Sequence, residues 1–119
     1  MLGRNSLGDT FGGLTLASWG GNSWCSTDAC SGDFLFRLGP GAAAVYRPKP
    51  GGGTHYQGSQ PRAWPRWGQG TNLRFGLYGA LGQSAFCNQG YTYEGAPDEV
   101  CGGKYVWGAT EMEVWYRVN

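Results

Sequence analysis

Glycine and proline interrupt this chain so often that no long helix fits between them. The two longest stretches free of both are Asn22 to Ser31 and Ala109 to Asn119. The first is crowded with Ser, Thr, Asp and Asn, whose short polar side chains compete for backbone hydrogen bonds and favour turns over helix interiors. The second alternates at period two, with Met112, Val114, Tyr116 and Val118 on one side and Glu111, Glu113, Trp115 and Arg117 on the other. That is the pattern of a strand with one wet, partly aromatic face. Glycine supplies 23 of the 119 residues with no G-x-y period, while aromatic residues reach 15%. This mixture excludes collagen and fits disorder badly, leaving short strands joined by tight turns.

Further strands are expected at Phe11 to Ser18, Phe34 to Leu38, Ala43 to Arg47, Leu73 to Tyr78 and Lys104 to Gly108, each rich in aromatic or branched residues and bounded by Gly or Pro. Phe34-Leu35-Phe36 is a continuous apolar triplet, so its strand should be central and covered on both faces. Gly12-Gly13 would weaken an exposed strand and reads instead as a bulge or a close backbone approach, with Phe11 plugging the core. Pro48 to Gly53 reads as a loop, and Ser59 to Gly70, holding Pro61 and Pro65, as an edge strand at most. The expected architecture is mainly β, a two-layer antiparallel β-sandwich with little or no helix, in a single domain over 1–119.

Nine basic and eight acidic side chains leave a formal charge of +1, which gives no field to steer a polyanion or an anionic bilayer. No apolar run approaches the ~20 residues that span a membrane, and the basic-then-apolar pattern of a secretion signal is missing. Nucleic acid and membrane insertion are therefore not expected, and an intracellular, cytoplasmic location is the default. Cys25, Cys30, Cys87 and Cys101 are sparse for a disulfide scaffold, which favours reduced thiols over disulfides. Neither the C-x4-C gap nor the lone His55 completes a common zinc pattern.

Sequence signatures of chemistry are missing: no G-x-S-x-G elbow, no phosphate-cradling loop, no H-E-x-x-H pair. His55 falls in a Gly-rich loop, where a catalytic base would be poorly held. Glu111 and Glu113 share one strand face and could cooperate as acid and base, yet a solvated face, or a polar-aromatic patch of Glu113 with Trp115, demands less. Tyr56, Arg62, Trp64, Arg66 and Trp67 mix rings and cations, suiting a core lid, a protein contact, or a sugar or nucleic-acid platform. No catalytic residue, cofactor or metal site is expected. The candidate interaction surface is Trp64, Arg66, Trp67, Glu113 and Trp115.

The order of these landmarks carries a resemblance. Phe11-Gly12-Gly13-Leu14-Thr15, then Ser18-Trp19, then Asp33-Phe34-Leu35-Phe36-Arg37-Leu38 resembles the "FGGYT…SW…AFLFSL" progression of TLDc domains, particularly the protist-like form. Leu73 to Tyr78 is similar to the Gly-rich segment before the family's "hDLYI" strand, and Asn88 to Glu94, with Tyr93 and Glu94, to its "LGxSYE". Cys101 to Gly103 resembles "LAG", and Thr110 to Trp115, ending Glu113-Val114-Trp115, resembles "EIEVW". The match runs over residues 9–118; Leu14, Gly79 and the insert at 48–53 depart from it. A complete TLDc domain is longer, so the chain looks like its C-terminal two-thirds, without the helices that precede "FGG".

The resemblance implies a two-sheet sandwich with a non-catalytic, protein-binding role, tied to oxidative-stress protection or to regulation of the vacuolar proton-pumping ATPase. The implied partner is another protein or the missing N-terminal segment, and exposed sheet edges imply self-association. A competing reading is a secreted, lectin-like, carbohydrate-binding β domain that stacks sugars on Trp64 and Trp67 and carries disulfides.

Overall fold

The computed structural model describes residues 1–16, 23–24, 32–50, 55–57, 66–67, 73–77, 80–86, 93–94, 99–102, 106–116 and 118. In chain order the strands are β1 (Leu2–Asn5), β2 (Thr10–Leu14), β3 (Ser23–Trp24), β4 (Phe34–Gly39), β5 (Ala44–Tyr46), β6 (His55–Gln57), β7 (Arg66–Trp67), β8 (Leu73–Leu77), β9 (Ala80–Phe86), β10 (Val106–Trp107) and β11 (Ala109–Glu113). A 3-10 turn at Glu99–Cys101 is the one helical element among the described residues. The strands form two antiparallel sheets, ordered β11-β1-β2-β4-β5 and β10-β9-β8-β7-β6-β3. The protein is mainly β, as its glycine-punctuated sequence demands.

One buried apolar cluster joins the two sheets. Phe11, Leu35 and Tyr46 come from the first sheet and Trp67 and Leu73 from the second, together with Tyr93, Val100 and Cys101. Gly13 in β2 makes this closeness possible, while Gly12 leaves room within its own sheet. A Cβ on Gly13 would sit 2.5 Å from Trp67 Cε2, and one on Gly12 would collide with the Met1 carbonyl and lie 2.7 Å from Phe36 Cζ. The double glycine is thus a close approach, as its sequence setting suggested, with Phe11 beside it fully buried. β4 lies inside its sheet between β2 and β5. Its Leu35 is buried while Phe34 and Phe36 are half-buried, their rings meeting edge to face with centroids 6.2 Å apart. The apolar triplet is central, but only Leu35 is enclosed completely.

Several expectations are corrected. β2 ends at Leu14, short of Ser18, and Asp33 is the local cause: its Oδ1 accepts the Leu16 backbone N–H at 3.1 Å, so a side chain stands where a ladder partner would be. The segment from Ser59 to Gly70 contributes β7, which pairs with strands on both sides instead of forming an edge. Pro61 and Pro65 both precede the paired residues Arg66 and Trp67, so neither removes a donor from the ladder. His55 belongs to β6 and not to a loop. The C-terminal strand stops at Glu113, because Glu113 pairs with Leu2, the first residue of β1. Val114, Tyr116 and Val118 are consequently exposed instead of facing the core.

The cysteine reading also changes. Among the described residues no cysteine is free: Cys101 is fully buried and disulfide-bonded, so the reduced-thiol expectation fails for it. Count and spacing along a chain do not report which sulfurs the fold brings together.

Two measurements check this architecture. Gly13→Ala should lower the unfolding free energy in urea by about 1–3 kcal/mol through overpacking against Trp67; an unchanged midpoint would place the two sheets farther apart. In denaturant without reductant, Cys101 should resist maleimide labelling and become reactive once reductant is added. Immediate labelling would mean a free thiol.

Candidate interaction surface

β11 is the outermost strand of the five-stranded sheet. Its pairing with β1 shifts register between Arg4 and Asn5, so that Arg4 faces Glu111 while Asn5 faces Ala109. Thr110 is the extra residue, and its hydroxyl donates to the Arg4 carbonyl at 3.2 Å. Such bulges bend an edge strand and limit what can pair with it. Arg4 and Glu111 form an ion pair at 3.5 Å between well-exposed side chains, an arrangement that water screens to little net value.

Past Glu113 the chain leaves the ladder. Val114, Trp115, Tyr116 and Val118 are 68%, 75%, 83% and 78% exposed, the densest run of uncovered apolar side chains among the described residues. The Trp115 indole N–H donates to Glu113 Oε2 at 2.8 Å. Residues two apart share a face of an extended chain, so this bond joins Glu113 and Trp115 into the polar-aromatic patch that their spacing suggested. Glu111 faces Arg4 and Glu113 holds Trp115, which leaves the two carboxylates occupied with different partners.

The rest of the expected surface divides. Trp67 is 1% exposed and packs on Gly13, so it belongs to the core and is removed from the interaction surface. Arg66 lies in β7, whose Arg66 side chain is outside the described residues, as are Trp64 and Trp19. Of the motif residues, Tyr93 is fully buried and forms a bridge with Pro48, and Glu94, exposed, donates its backbone N–H to the Arg47 carbonyl at 2.9 Å.

Three buried polar side chains escaped the sequence reading: Asn5, Asp9 and Asp33. Asn5 Oδ1 accepts the backbone N–H groups of Leu7 and Asp9, each at 3.0 Å, and Asn5 Nδ2 donates to Asp9 Oδ2 at 3.1 Å. The string Asn5-Ser-Leu-Gly-Asp9 is an Asx-type turn signal, and it joins β1 to β2. The Asp9 carboxylate lies against Gly102, which has φ of 65°, a conformation that a side chain would resist and where a Cβ would strike Asp9. Asp9 thereby connects the β1–β2 turn to the turn carrying Cys101. Asp33 has no such local signature; its role depends on Leu16 and on Tyr93, both distant in sequence. Among the described residues, no three His, Cys, Asp or Glu side chains converge on a common point that would hold a metal ion.

Burial, and secondarily the negative charge of Asp33, holds the Tyr93 phenol well above its ordinary range. The folded state therefore keeps its proton where the unfolded chain, titrating near ~10, gives it up. Stability from this group is complete below about pH 10 and is lost as pH rises further, at up to about 1.4 kcal/mol per pH unit. Tyr93→Phe should flatten this alkaline decline in a series of thermal melts; an equally steep decline would place the phenol in water.

Comparison with known proteins finds no matching family model, no matching curated protein and no matching solved structure, so the likeness to TLDc domains rests on the residues of this chain alone.

Proposed function

We propose that this chain is a non-catalytic protein-interaction domain of TLDc type that binds through the segment leaving β11. The observation that carries the reading is the run Val114, Trp115, Tyr116 and Val118, held in water on the continuation of an edge strand. Contiguous exposed apolar surface marks interaction sites, and Trp and Tyr dominate binding energy where they are buried by a partner. Support for a non-catalytic role comes from the buried polar groups. Asn5 and Asp9 are engaged in a turn, and Asp33 with a backbone N–H, instead of converging on open space. Protein binding is the part of the family's implied role for which this surface offers a physical basis. Oxidative-stress protection or regulation of the vacuolar proton-pumping ATPase would be particular instances of it.

No helix among the described residues is long and apolar enough to cross a membrane. The buried Cys101 disulfide favours an oxidising compartment over the cytoplasm. That same disulfide favours the secreted, lectin-like reading, but burial of Trp67 takes away one of the two rings on which sugars would stack. Protein binding in an oxidising compartment accommodates both observations.

A photo-crosslinking residue in place of Tyr116, within the intact chain, should give a discrete protein adduct that Trp115→Ala suppresses. The same group at Val45, another exposed strand position, should not. Trp115→Ala should leave the unfolding free energy in urea within about 0.5 kcal/mol of the parent. Absence of any adduct, with tryptophan fluorescence quenched by a simple glycan, would overturn the reading in favour of sugar binding.

A further inference from the structure

We infer that the outer face of the five-stranded sheet packs on the same face of a second copy of the chain, around a two-fold axis parallel to the strands. The pairing registers define this face. Glu113 of β11, Leu2 of β1, Gly12 of β2, Phe36 of β4 and Val45 of β5 form one continuous row across the sheet. Side chains two residues apart on a strand share its face, so Glu111, Arg4, Leu14, Phe34 and Leu38 lie on the same side as that row. Phe11, Gly13, Leu35 and Tyr46, at the alternate positions, are buried on the opposite side.

An antiparallel sheet that packs one side on a core commonly turns polar residues to water on the other. Here the outer face is apolar through its middle: Leu14, Leu38 and Val45 are exposed, and Leu2, Phe34 and Phe36 are half-buried. Gly12 keeps the face level, because the Phe36 ring lies where a side chain would otherwise rise from β2. Contiguous apolar surface of this kind marks a contact with another molecule.

Charge identifies that molecule and its orientation. At the β11 edge the face carries Glu111 and Glu113 against one cation, Arg4, which already pairs with Glu111. At the β5 edge Arg47 and Lys49 continue the alternation from Val45 and are exposed. They outnumber Glu94, whose backbone N–H meets the Arg47 carbonyl. One edge is net acidic and the other net basic, with apolar residues between them, and such a face is complementary to itself. A two-fold axis running across the strands would lay β11 on β11 and set glutamates against glutamates, which is unfavourable. An axis parallel to the strands, over the central strand β2, lays β11 of each copy on β5 of the other. Glu113 then meets Val45 with Arg47 within side-chain reach, twice by symmetry, and Leu2 meets Phe36 on either side of the facing Gly12 positions. Aligned stacking of two sheets, turned by about 30°, is a standard way to pack such faces. The contact uses the strands and not the segment beyond Glu113, so it is independent of binding by that segment. Five strands about 4.8 Å apart and about five residues long present roughly 20 by 17 Å, the small end of specific interfaces, so the dimer is weak.

Sedimentation equilibrium on the intact chain, carried to its highest soluble concentration, tests this by charge exchange. The parent should show a concentration-dependent monomer–dimer equilibrium. Glu113→Arg and Arg47→Glu should each weaken the dimer about tenfold or more, and the double exchange should restore it to within about threefold. Val45→Glu, which sets a carboxylate against Glu113, should weaken it by a similar factor. All three positions are exposed, and circular dichroism on each variant verifies that the fold is kept. A crosslinker at Val45 should give an adduct of twice the chain mass that Trp115→Ala leaves in place, unlike the adduct at position 116. A parent that stays monomeric throughout overturns the inference, as does a dimer indifferent to Val45→Glu or a double variant no tighter than the single ones. Capture of a different protein from position 116 by a monomeric parent excludes the second copy and leaves the interaction reading standing.

Discussion

The contact between the β2 backbone at Gly13 and the indole of Trp67 is the constraint on which the rest of the molecule depends. An indole can lie flat on a strand only where the strand presents no Cβ, and a hypothetical one on Gly13 falls 2.5 to 2.8 Å from three Trp67 ring atoms. The missing side chain at Gly13 leaves room for Trp67 of the second sheet, while the missing one at Gly12 leaves room for Met1 and Phe36 within the first. Phe11, the next residue back, then fills the space beside the glycines. Glycine is costly in a strand for want of packing and for its conformational entropy. Here the burial of a tryptophan offsets that cost, since large rings contribute most of the apolar area a small core can remove from water.

Around this contact, polar groups hold together what short strands cannot. The Asn5–Asp9 pair closes the β1–β2 turn and presses on Gly102, beside disulfide-bonded Cys101. Asp33 stops β2 by taking the Leu16 N–H and lies close enough to Tyr93 to influence its phenol. Each device links segments far apart in sequence, and each sits where a strand ends. These groups are engaged in closing a turn and ending a strand.

Much of the fold was legible because it obeys local rules. Alternation located β11, aromatic-rich runs located β4 and β8, and the paired glycines announced a close approach. β9, with its glycine, serine and alanines, has no such composition, and β1 and the two-residue strands are too short to show a period. They exist because neighbouring strands supply their partners, which is tertiary information. The same limit explains Trp67, whose position in a proline-rich string fitted either a surface or a core, and Cys101, whose bond depends on proximity in space. At the C-terminus the period was read correctly but burial was not, because alternation gives the facing of side chains and says nothing about whether anything covers them. The Glu113–Trp115 patch was legible for that reason, as an i, i+2 pair on one strand face.

The central claim, that the two sheets meet where β2 presents no side chain at Gly13, is tested most directly by proton NMR of the intact chain. The account predicts strong nuclear Overhauser contacts between the Gly13 α-protons and the Trp67 ring, with those α-protons shifted far upfield by the ring current. Gly13 α-protons at ordinary shifts, with a Trp67 indole open to solvent, would contradict it.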